Sequence, residues 1–262
     1  MDLRLPEPDT TRLPHSPLEL VVCQIRFDNR QEIGDSEVAL GIHQELGGAT
    51  GPYAQLEQIE GQQLIVSGGI GVEPTTQART SHGWRLSSES GDWVVSLMPD
   101  HVSLETTKFT TWEDDFLPRL EKLVAAASAH LEPVIEQRLG LRYVDRIEEL
   151  HLDSIEGWAD YIAPEFLGPI RHPELGQAIT GMGLQLVLRM SEQLRAAIRS
   201  GPITDRDDGR IDYLLDYDIF RQGGRPFNAG EVLDTAGQLN RCAHQLFQVS
   251  ITEKLLDFLR TP

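Results

Sequence analysis

Three arginines recur at every fourth residue in Arg138-Leu-Gly-Leu-Arg142-Tyr-Val-Asp-Arg146. A guanidinium is the side chain best shaped to fork a carboxylate or a phosphate. On an extended strand alternate residues share a face. Arg138, Gly140, Arg142, Val144 and Arg146 therefore point one way, and Leu139, Leu141, Tyr143, Asp145 and Ile147 the other. Like charges repeated along one face repel, so the row calls for negative groups nearby. In Ile211-Asp-Tyr-Leu-Leu-Asp-Tyr-Asp-Ile-Phe220 the same alternation puts Asp212, Asp216 and Asp218 on one face with Leu214. Arg189, Arg195 and Arg199, on neighbouring predicted strands, are further candidates to meet those aspartates.

Two chemistries fit this arrangement. One is a set of cross-strand ion pairs on a sheet face, pairing the arginines with Asp212, Asp216 and Asp218. The other is a concave site in which Arg138, Arg142 and Arg146, with Tyr143, hold a carboxylate, a phosphate or an acidic peptide. The spacing favours the first and leaves the second open.

The remaining candidates are weaker. Asp205-Arg-Asp207-Asp208-Gly209 has the acids of a calcium loop but no bidentate glutamate at the downstream position, so it reads as a turn. Gly68-Gly-Ile-Gly71 opens no helix and has no phosphate-binding lysine, so it reads as a loop. The eight histidines form no HxH, HxxxH or HExxH pattern, and no cysteine joins them at ligand spacing. Cys242 and His244 lie two apart on a predicted helix and do not face each other. No GxSxG or P-loop is present. The sequence thus nominates no catalytic residue, no cofactor and no metal site, and leans away from an enzyme.

The elements that must position these residues are legible. An extended proline-bearing arm is expected over 1–17, with Pro6, Pro8, Pro14 and Pro17. Leu18–Phe27 reads as a buried strand. A helix capped by Asp35 and Ser36 follows, then short segments over Gln55–Ile59 and Gln63–Val66. A meander is expected at Trp84–Ser88, Trp93–Met98 and Val102–Thr107. A long helix over Trp112–Leu131, started by Thr110 or Thr111, carries Phe116, Leu120, Leu123, Val124, Ala127 and Leu131 on one stripe. Val134–Ile147 is the strand that bears the arginines. A short helix near Ser154 precedes a loop to about Ile179. Strands follow at Gly183–Met190, Leu194–Arg199 and Ile211–Phe220, then helices over Glu231–Gln248 and Thr252–Leu259.

The expected fold is α+β, with antiparallel sheets packed against two long helices. Strands followed by a long helix occur twice, which suggests two sheet-plus-helix halves, 18–149 and 150–262, packed as one unit.

The chain has 262 residues, 40% of them hydrophobic, enough to bury a core without disulfide or metal. Its 41 acids against 23 bases give a net charge of −18 at pH 7. That excess opposes duplex nucleic acid and anionic membrane and suits a basic protein partner. Cys23 and Cys242 sit in apolar surroundings and read as core residues of a reducing, cytoplasmic compartment. The N-terminus has no apolar signal region, and no apolar run reaches 18 residues. Homo-oligomerisation is left open.

The segments LPHSPLELVVCQIRF, Thr110-Thr-Trp112-Glu-Asp-Asp-Phe116, Arg138-Leu-Gly-Leu-Arg-Tyr-Val-Asp-Arg-Ile147 and HQLFQVSIT resemble a sporadically distributed, uncharacterised bacterial family. That family is marked by a proline-flanked first strand and an R-x-G-L-R-Y-x-N-x-I segment. The resemblance spans about residues 13–259, with Asp145 standing where Asn is expected. It implies no activity and no catalytic residue. The family's scattered occurrence implies accessory genes, including defence-associated ones. The expected function is therefore a non-enzymatic binding protein of an accessory bacterial system: an immunity, antitoxin-like or complex-subunit component. The alternative is a pocket protein or enzyme that binds a small anion through the arginine row.

Overall fold

A computed structural model describes residues 3–67, 75–148, 150, 152, 154–204 and 209–261. The glycine loop 68–71 and the acidic turn at 205–208 lie outside the described residues.

The protein is α+β, with one nine-stranded antiparallel sheet and several helices. The strands are β1 (Leu18–Phe27), β2 (Gln55–Ser67), β3 (Thr75–Ser87), β4 (Trp93–Met98), β5 (His101–Thr106), β6 (Ile135–Ile147), β7 (Leu184–Arg189), β8 (Leu194–Thr204) and β9 (Ile211–Pro226). Their order in the sheet is β2-β3-β4-β5-β1-β6-β9-β8-β7. Separate sheets were expected. The strands instead join in one sheet, because β1 and β6 each find neighbours distant in sequence, which periodicity within a strand does not encode. The helices are α1 (Ser36–Glu45), α2 (Leu117–Leu131), the four-residue α3 (Pro164–Leu167), α4 (Ala229–Ser250) and α5 (Glu253–Arg260). Among the described residues no helix is long and apolar enough to cross a membrane.

The chain forms two compact units whose bounds cut across the halves 18–149 and 150–262. One unit holds Cys23–Leu139 with Gly223–Leu233. The other holds Met1–Val22, Gly140–Gln222 and Asp234–Pro262.

In the unit built on 23–139, β2, β3, β4 and β5 form the antiparallel meander. The sequence showed its first hairpin as three short segments. Backbone pairing from Gln55↔Ser87 to Ser67↔Thr75 makes it one long hairpin. The core includes Val95, Leu97, Leu104, Phe116, Leu120, Leu123 and Val124. The expected helix over Trp112–Leu131 begins as a single π-turn over Trp112–Phe116, and the α-helix proper starts at Leu117. Thr111 caps it, with Oγ1 accepting from Asp114 N at 3.2 Å. Glu132, in the left-handed region at φ 42°, ends it. Cys23 is fully buried and its thiol is pushed up to about 12 by burial, with the Arg138 charge acting in the opposite direction.

Gly83 marks a close approach of β3 to β4. A Cβ there would sit inside van der Waals contact of Leu97 O and Met98 Sδ. A backbone carbonyl cannot swing aside, so Gly83→Ala is expected to destabilise by about 1–3 kcal/mol, read as a lower urea midpoint.

In the other unit β7, β8 and β9 pair antiparallel, with Arg199↔Asp216 and Ile203↔Asp212 in register. β9 runs past the expected Phe220 to Pro226. Its apolar face, Tyr213, Leu215, Tyr217 and Ile219, is fully buried, as are Trp158, Ala236, Leu239 and Leu255. The Trp158 and Tyr213 rings lie 5.2 Å apart. β7 alternates between exposed and half-buried side chains, and Val187 is 68% exposed.

Candidate functional site

The candidate residues gather where β6, β9 and β8 meet. Arg142 on β6 forks Asp216 on β9, with Nε–Oδ1 at 2.7 Å and Nη2–Oδ2 at 2.9 Å. Arg199 on β8, the cross-strand partner of Asp216, donates from Nη1 to the same Oδ2 at 3.0 Å. Four residues further along β6, Arg146 donates to Asp212 Oδ2 from Nε at 2.9 Å and from Nη2 at 2.6 Å.

The two partners in each pair differ in burial. Asp216 and Asp212 are 3% and 1% exposed, whereas the side chains of Arg142, Arg199 and Arg146 are 44%, 55% and 27% exposed. The acids lie inside and the guanidinium groups roof them. Hydrogen bonding to Asp216 raises the Arg142 guanidinium above its ordinary value, with the Asp216 and Asp218 charges adding to it. Asp212 does the same for Arg146, with Glu19 and Glu148 contributing charge. Such a network fixes the register of β6 against β9, since a one-residue slip would turn every arginine to the other face.

Asp218 is half-buried and opposite Ala197, acting on Arg142 through its charge. Arg195 turns instead to backbone carbonyls, donating from Nη1 to Ser191 O at 3.0 Å and Leu194 O at 3.1 Å. Arg138 belongs to the other compact unit, where it acts on Cys23. Tyr143 is not in the arginine cluster. It is buried, donates from its hydroxyl to Asn240 Oδ1 on α4 at 2.7 Å, and meets the His244 ring edge-on at 6.2 Å. The alternation along β6 that gathers Arg142 and Arg146 is what sends Tyr143 the opposite way.

A cavity of about 220 Å³ opens beside Arg146, walled by His15, Pro17, Glu19, Glu148 and Phe258 among others. Glu148 Oε2 is 3.8 Å from Arg146 Nε. An anion entering there would meet two carboxylates as well as one guanidinium already committed to Asp212.

Burial singles out a further group, Asp145. It is 5% exposed on the Tyr143 side of β6, and its carboxyl is pushed up to about 8 by burial. Tyr217 on β9 is raised well above its ordinary value, first by burial and then by the Asp145 charge. The Tyr217 hydroxyl reaches toward Ser250 without forming a hydrogen bond of good geometry; Ser250 Oγ donates to Leu246 O at 2.7 Å. The alternation of β6 already placed Asp145 among Leu141, Tyr143 and Ile147, and that was the available signal. Among the described residues no group of three or more His, Cys, Asp or Glu could hold a metal ion.

No family model, no curated protein and no solved structure matches the chain.

Proposed function

We propose that this chain is a binding protein of an accessory bacterial system, acting in the cytoplasm and meeting a basic protein partner through its acidic surface. An immunity, antitoxin-like or complex-subunit role fits this reading, as does membership of the sporadic bacterial family that the sequence resembles. The observation that carries it is how the positive charges are used. Arg26, Arg30, Arg119, Arg142, Arg146, Arg199, Arg241 and Arg260 are each tied to a carboxylate of the chain itself. The net −18 therefore remains as a field that attracts cations. Neither nucleic acid nor an anionic membrane suits that field. Two free cysteines, one of them fully buried, accord with a reducing compartment.

The same reading takes 18–149 and 150–262 as diverged copies, each a sheet backed by one long helix, α2 or α4. Its support is the order of elements along the chain, in which β2–β5 precede α2 and β7–β9 precede α4.

The test is a pull-down of the tagged full chain from its native host, washed at about 0.1 M and about 0.5 M salt and read by mass spectrometry. Screening shortens the reach of surface charge about twofold over that range. A basic protein recovered at low salt and depleted about tenfold at high salt is expected. A partner retained equally at both, or an acidic one, overturns the reading.

The alternative, a small anion held by the arginine row, is supported by the cavity at Arg146. The pairing of Arg142 with Asp216 and of Arg146 with Asp212 counts against it.

A further inference from the structure

The N-terminal arm is a ligand held by its own protein. Residues 3–13 have no regular secondary structure, Pro14 and His15 form a turn, and none of residues 3–17 is buried. What holds them is polar. On α4, Arg241, Gln245 and Gln248 fall at i, i+4 and i+7, on one face of the helix. Gln248 Oε1 accepts from Asp9 N at 2.9 Å and its Nε2 donates to Asp9 O at 2.6 Å. Gln245 Nε2 donates to Pro6 O at 2.9 Å. Two glutamines therefore read the arm's backbone, as a strand partner would, and they take no account of side chains.

Selectivity comes from charge. Arg241 pairs with Glu7, and Arg260, at the end of α5, pairs with Asp9. These are two arginines gathered on one face of a chain with 41 acids. The spacing fits Pro-Glu-Pro-Asp, whose prolines keep the segment extended before it docks.

We propose that the α4–α5 face bearing Arg241, Gln245, Gln248 and Arg260 is a docking site for an extended, acidic, proline-bearing peptide of another protein, with residues 6–9 its displaceable internal occupant. The contacts of Glu7 and Asp9 are exposed, while backbone bonds from Leu3 N to Met190 O at 2.9 Å and from His15 N to Leu259 O at 3.2 Å hold the arm on either side. An exposed ion pair shifts an equilibrium by less than about fivefold, so residues 6–9 lift off readily while the arm stays tethered. While attached, it competes at an effective concentration on the order of millimolar. A partner must outbid it, which makes the arm a threshold on binding. This surface is separate from the acidic field invoked above and does not depend on it.

The experiment measures fluorescence anisotropy of a labelled peptide, LRLPEPDTTRL, on the full-length chain. Binding to the Glu7→Ala/Asp9→Ala chain is expected to be about tenfold tighter than to the wild type, because the internal competitor is weakened. Adding Arg241→Glu and Arg260→Glu to that chain is expected to abolish binding, with the far-UV circular dichroism unchanged. A peptide carrying Glu7→Lys and Asp9→Lys is expected not to bind. The proposal is overturned by absent binding to the Glu7→Ala/Asp9→Ala chain up to about 1 mM, or by equal binding of the charge-reversed peptide. It is also overturned by sedimentation showing a wild-type dimer that Glu7→Ala/Asp9→Ala dissolves, since the occupant would then be the arm of a second copy.

Discussion

Replacing Asp145 by Asn is expected to stabilise the protein at neutral pH by about 4 kcal/mol. A buried carboxylate lacks the hydration it has in the unfolded chain, and Asp145, 5% exposed, responds with a carboxyl pushed up to about 8. In the unfolded chain the same group titrates near 3.8. Between those values the folded state holds a proton that the unfolded state has released. Stability is therefore greatest below about pH 4 for this group, and declines by about 1.4 kcal/mol per pH unit as pH rises toward 8. Asn carries no charge, so its burial removes the cost of an ionised carboxyl and the charge that acts on Tyr217. Urea titrations of both proteins at pH 5, 6, 7 and 8 provide the measurement. The curves should converge toward acid and diverge toward base, and at pH 7 the melting midpoint of the variant should lie roughly 8–16 °C higher. Parallel curves would show that the Asp145 carboxyl is solvated or paired.

Asp145 also shows how far the sequence could be read. Alternation along 138–147 assigned each side chain to a face, and burial follows that assignment: Leu139, Leu141, Tyr143, Asp145 and Ile147 are all inside. An acid on the apolar face was visible, but the Tyr217 hydroxyl on which its charge acts comes from a strand much later in the chain. The aspartates of β9 were likewise assigned to one face. Which arginine each would meet was not readable, because a strand's own pattern carries no register against its neighbour. Hence Arg142 and Arg199 share Asp216 while Arg195 turns to its own backbone.

Apolar segments such as Leu18–Phe27 and Trp93–Met98 stand at their expected bounds. The hairpin of β2 and β3 was legible only as the separate segments Gln55–Ile59, Gln63–Val66 and Trp84–Ser88, because residues 75–83 lack an alternating pattern and its length is set by backbone pairing. The arm's polarity was plain, but its docking was not. It rests on Gln245 and Gln248, residues that read as ordinary solvent-facing positions of an amphipathic helix.

The ion pair at Asp212 has the second large effect. Arg146→Met keeps the aliphatic stem and removes the guanidinium, leaving a carboxylate that is 1% exposed without the two hydrogen bonds at 2.9 and 2.6 Å. Breaking one side of a fully buried pair costs about 3–5 kcal/mol. Because Arg146 is itself 27% exposed and water can enter when it leaves, a loss of about 2–3 kcal/mol is expected, read as a lower urea midpoint. The reverse substitution, Asp212→Asn, should be milder, about 1 kcal/mol. The amide oxygen still accepts from Arg146, and the guanidinium left behind lies at the surface, where water and Glu148 can satisfy it. The double variant Arg146→Met/Asp212→Asn should recover most of the loss, because no buried charge remains, and the coupling energy of that cycle isolates the pair. Equal losses in the two single variants, with an additive double, would mean that Asp212 is hydrated and that β6 and β9 are held in register by their backbones alone.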